Sequence, residues 1–142
     1  MKIKTLVAVL LLSGGVTSTF AQSDCNANSS ISHEAVRAKN FKDAYAPCMA
    51  VLKDCPTLRY YTYTDAQKIL TSLMSQIKDR NSAEYKKLFD ELMAVHDQKM
   101  KYIPEFASKM KGVPSVASSL GTKAVDYLQY APAPDLLSLI HI

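Results

Sequence analysis

Three histidines, three cysteines and a cluster of tyrosines are the side chains through which this chain could do chemistry. A histidine works as an acid or base when a second group orients its ring. His33, His96 and His141 lie far apart, and the acids beside them, Glu34 and Asp97, are adjacent residues that point to different helix faces. Neither pair makes an oriented dyad. No Gly-rich phosphate loop, nucleophile elbow, His-Glu-x-x-His or paired acidic motif occurs. The spacings that hold zinc, attach haem or make a Cys-x-x-Cys redox pair are missing as well. The expectation is a chain that is not an enzyme, with no catalytic residue, cofactor or metal.

The cysteines point to a covalent clamp. Residues 30–39 and 41–53 read as two helices joined by a tight turn at Asn40, an antiparallel hairpin whose open end brings together the chain before the first helix and after the second. Cys25 and Cys55 belong to that open end, within the Cα separation that a disulfide spans. Cys48 lies mid-helix on the apolar face, where a cysteine fills space and does not react. Cys25 with Cys55 is therefore the expected bond.

Pairing of thiols needs an oxidising compartment, and the N-terminus supplies the route. Lys2 and Lys4 precede an apolar run over residues 6–12, followed by small and polar residues and Thr19-Phe20-Ala21-Gln22. This reads as a cleavable signal peptide over residues 1–21, cut after Ala21, because Ser13, Gly14, Gly15 and Thr17 interrupt the run well short of the ~20 residues a membrane span needs. The expected location is the periplasm, cell envelope or extracellular space, with no stable membrane insertion after cleavage. Removing Lys2 and Lys4 from 17 basic residues leaves 15 against 13 acidic ones. So mixed a balance predicts no nucleic-acid partner.

Apolar residues recur at helical spacing at Phe41, Ala44, Tyr45, Cys48 and Val51, again at Ala66, Ile69, Leu70, Leu73 and Ile77, and again at Tyr85, Leu88, Phe89, Leu92 and Met93. Thr64 with Gln67, and Asn81 with Glu84, have capping-box spacing. The helix of this last run is expected to extend over residues 82–102 and to stop before Pro104. Residues 57–63 read as a linker carrying Tyr60, Tyr61 and Tyr63. A short helix ended by Gly112 and another over residues 122–130 follow. The fold class is all-α, with residues 22–134 as one incomplete helical domain and 135–142 as a tail. Residues 137–142, Leu-Ser-Leu-Ile-His-Ile, match codon by codon the transposon-library adapter CTGTCTCTTATACACATC, so this end is expected to be adapter read-through and the chain a fragment.

Residues 40–56 resemble the second half of a tetratricopeptide repeat, with Phe41, Ala44, Cys48, Val51 and Pro56 at the family's marker places. Cys48 departs from the aromatic found there. In the first half Ile31, Ser32 and Ala35 replace Leu, Gly and Tyr, and Pro47 falls inside the second helix. A looser unit holds Tyr85, Leu88, Leu92 and Val95. The chain is also similar to exported repeat proteins of Bacteroidetes. The resemblance implies antiparallel helical hairpins stacked as an irregular solenoid, with a groove built by the first helix of each pair that holds a protein or peptide partner. Arg37, Gln67 and Lys68 are its groove candidates, and Tyr60, Tyr61 and Tyr63 a second recognition patch. Two alternatives are a small-ligand carrier built on Met93, Met100 and Met110, and the non-catalytic N-terminal part of an envelope enzyme.

Overall fold

The computed structural model describes residues 17–132, with side chains from residue 24 onward. They form five helices, α1 (Thr17–Arg37), α2 (Phe41–Asp54), α3 (Tyr61–Ser75), α4 (Ala83–Lys109) and α5 (Val116–Tyr130), and no strand occurs among them. Each helix packs on the next, and α1 also reaches α3. The signal-peptide reading and the 135–142 tail fall almost wholly outside the described residues; α1 itself runs across the Ala21-Gln22 position.

The first helix begins well before residue 30, so Cys25 sits inside it and not ahead of it. The reason is a stripe of small side chains. Cys25, Ser29, Ser32 and Val36 recur at helical spacing and are all buried. Their size lets α2 come close, and the Ser32 hydroxyl donates to the Ala44 carbonyl at 3.1 Å. Cys25 and Cys55 are joined, with 6.3 Å between Cα atoms and a sequence separation of 30. Closing a loop of that length stabilises the hairpin by about 3 to 4 kcal/mol through the unfolded state.

The turn between α1 and α2 is a paired C-cap. The Asn40 N–H reaches back to the Ala35 carbonyl at 2.8 Å and the Lys39 N–H to Val36 at 3.0 Å, the bonding of a Schellman motif. Lys39 takes the left-handed position with φ 59°, where glycine is the usual occupant.

Both expected capping boxes are displaced. Tyr61 through Tyr63 belong to α3, so Thr64 lies inside the helix and its hydroxyl donates to the Tyr61 carbonyl at 2.7 Å. The α4 cap is Ser82, one residue after Asn81, and its hydroxyl accepts from the Tyr85 N–H at 3.2 Å. Pro104 does not end α4, which continues to Lys109. Only one backbone bond is lost at a proline, and Ile103 and Phe106 are both buried, so packing carries the helix past it. The last helix starts at Val116, six residues before its expected start, capped by Ser115, whose hydroxyl accepts from Ser118 at 3.1 Å.

The core is centred on α2, α3 and α4, where Cys48, Ile69, Leu70 and Leu92 are fully buried. Helix α5 is turned the other way. It buries Ser119 and Lys123 and exposes Val116, Leu120, Val125 and Leu128, the last two at 60% and 46%. No helix among the described residues is long and apolar enough to cross a membrane.

A candidate binding cleft between the first and third helices

His33, Val36 and Arg37 share one face of α1, being three and four residues apart, and Asp65, Lys68 and Ser72 share one face of α3 for the same reason. The contact between the two helices sets these faces together. They line an open cleft of about 350 Å³, which Lys39, Phe41 and Thr71 complete.

Its centre is an oriented pair. The His33 Nδ1 lies 2.7 Å from Asp65 Oδ2, and the Asp65 side chain is only 4% exposed while His33 is 36% exposed. A carboxylate only accepts, so Nδ1 carries the proton, and Nε2 makes no hydrogen bond among the described residues. The Tyr61 ring lies against His33, 4.5 Å between centroids. The Tyr61 hydroxyl takes a hydrogen bond from Arg59 and lies 3.3 Å from the Ser29 hydroxyl. Arg37 is shared with Glu34 at 3.2 Å, an exposed pair worth little. Lys39 and Lys68 make no ion pair among the described residues, so the cleft carries two uncommitted cations beside Arg37.

Of the candidate groove residues, Arg37 and Lys68 are in this cleft. Gln67 faces the opposite side of α3, where its amide lies 3.4 Å from His96 Nδ1. The three tyrosines do not form one patch. Tyr61 borders the cleft, Tyr60 packs edge-on to Phe106 at 5.5 Å, and Tyr63 is buried, donating its hydroxyl to the Pro56 carbonyl at 2.8 Å. Tyr63 therefore offers a partner no surface. Met93 packs on the core and Met110 is exposed, so the methionines do not share a face either.

No family model, curated protein or solved structure matches the chain.

A second histidine pair lies between α4 and α5. His96 is fully buried, with Nε2 2.7 Å from Asp126 Oδ2. Lys123 reaches Asp97 at 2.7 Å. Lys99 is buried nearby, and burial pushes its amine below the ordinary lysine range while Asp126 pulls it back. This cluster, with Tyr127 packed on Phe89 at 5.7 Å between centroids, holds the inward face of α5, and Val125 and Leu128 lie on the side turned out. Both histidines thus find acids 32 and 30 residues away on other helices, and the adjacent Glu34 and Asp97 play no part in either pair. Spacing along one helix could not disclose them.

A larger cleft of about 520 Å³ lies against α2, α3 and α4, lined by Lys42, Tyr45 and Lys87 among others. Beside it Glu91 accepts from the Tyr45 hydroxyl at 2.7 Å and pairs with Lys87 at 3.7 Å, while Lys42 and Glu84 add one charge of each sign to the lining. Burial and Glu91 together push the Tyr45 hydroxyl up to about 12.

Proposed function

We propose that this chain is an exported, non-catalytic helical-hairpin protein, its hairpins stacked as an irregular tetratricopeptide-like array, that binds an extended peptide segment of a protein partner in the cleft between α1 and α3. The observation that carries the reading is the composition of that cleft: cations from Arg37, Lys39 and Lys68 around an apolar floor of Val36 and Phe41. A peptide uses both parts, because its backbone and acidic side chains meet the cations while an apolar side chain sits on the floor. Export is supported by the Cys25 to Cys55 bond, which persists in an oxidising compartment.

The test is selection from a displayed library of random peptides. The wild-type protein is expected to enrich peptides of common acidic character, and the Arg37→Glu, Lys68→Glu double variant to lose them while keeping its helical circular dichroism. Enrichment of the same peptides by both proteins would remove the cleft from the account.

A further inference from the structure

We infer that the α1–α3 cleft takes a side-chain carboxylate of an acidic peptide on His33, and that binding draws one proton onto that imidazole. The inference rests on the binding reading of the cleft. Asp65 fixes the ring by accepting from Nδ1 at 2.7 Å, so a neutral His33 presents a lone pair at Nε2 and has nothing to donate to an anion. A protonated His33 presents an N–H there, and the hydrogen bond it makes to a carboxylate is charge-assisted.

In the occupied cleft a carboxylate at Nε2 joins Asp65 at Nδ1 as the second acceptor of the ring. From α3 the cleft is faced by the buried Asp65 carboxylate and the Lys68 ammonium. From α1, Arg37 stands one turn on from His33 and is partly neutralised by Glu34. The turn contributes Lys39. Tyr61 covers the ring on its other side, and its hydroxyl is engaged by Arg59. A carboxylate thus links cations that otherwise repel one another and the proton, which is why proton and ligand enter together. A free phosphate would satisfy the charges and leave the half-buried Phe41 unused, so the apolar part of the cleft assigns the anion to a peptide.

Isothermal titration with a short Glu-rich peptide carrying one leucine tests this, run at about pH 6 and about pH 8 and in buffers of different ionisation enthalpy. The expected result is binding about tenfold tighter at the lower pH, with net proton uptake. His33→Gln, whose amide can still donate to Asp65, is expected to bind without uptake and without the pH difference. Equal affinity at both pH values with no uptake overturns the inference and leaves the cleft reading standing. Absence of binding at either pH, with the circular dichroism intact, overturns both. Inorganic phosphate competing at the same concentration as the peptide overturns the assignment to a peptide.

Discussion

Cys48 sits fully buried against α3, its thiol 3.6 Å from the Thr62 carbonyl. Burial pushes it up to about 11, the largest cause, with Asp65 adding to the rise and Ser32 opposing it. The folded state therefore holds its proton more tightly than the unfolded one. Stability from this group is full below the ordinary thiol range and falls as pH rises through about 11. At about pH 8 the native protein is expected to react with a thiol reagent only as fast as it unfolds, and one thiol to react at once in denaturant. Rapid reaction of the native protein would contradict the burial. That inertness was legible in the sequence, because Cys48 falls on an apolar helical stripe. The other two informative side chains were not: His33 and Asp65 are 32 residues apart, and only the contact of α1 with α3 makes them a pair.

At the scale of the element, the hairpin of α1 and α2 was readable from Phe41, Ala44 and Val51, and its turn from Asn40. The start of α1 was not readable, because Cys25, Ser29 and Ser32 form a stripe of small residues and carry no hydrophobic periodicity. The start of α3 was hidden by Tyr60, Tyr61 and Tyr63, whose aromatic character argues against a helix until Tyr63 and Ala66 are seen to share its buried face. Pro104 misled for the opposite reason, since the rule it invokes is local and the packing of Phe106 is not. The turn itself stores a small cost at Lys39, the one non-glycine among the described residues with positive φ. Lys39→Gly relieves the β-carbon of the left-handed position and frees the unfolded chain, and the first effect is the larger. It is expected to raise stability by up to about 1 kcal/mol. The denaturation midpoint measures it, and a lower midpoint would mean that the Lys39 side chain does more for the turn than its backbone costs.

For the molecule as a whole, the all-α class followed from three runs of helical periodicity, and five helices bear it out. The orientation of α5 did not follow. Val125 and Leu128 have the spacing of a buried face, yet Asp126 and Lys123 are drawn to His96 and Asp97 and Tyr127 packs on Phe89, so Val125 and Leu128 face out. Among the described residues, a cationic cleft at α1 and α3 contrasts with an apolar flank on α5. The first carries the proposed function. Backbone amide shifts in an isotope-labelled sample titrated with the Glu-rich peptide test it most directly. The account predicts perturbations centred on His33, Arg37, Lys39, Lys68 and Ser72, with the Asp126 and Lys123 region unmoved. Perturbations centred on α5, with the α1 and α3 amides still, would contradict it.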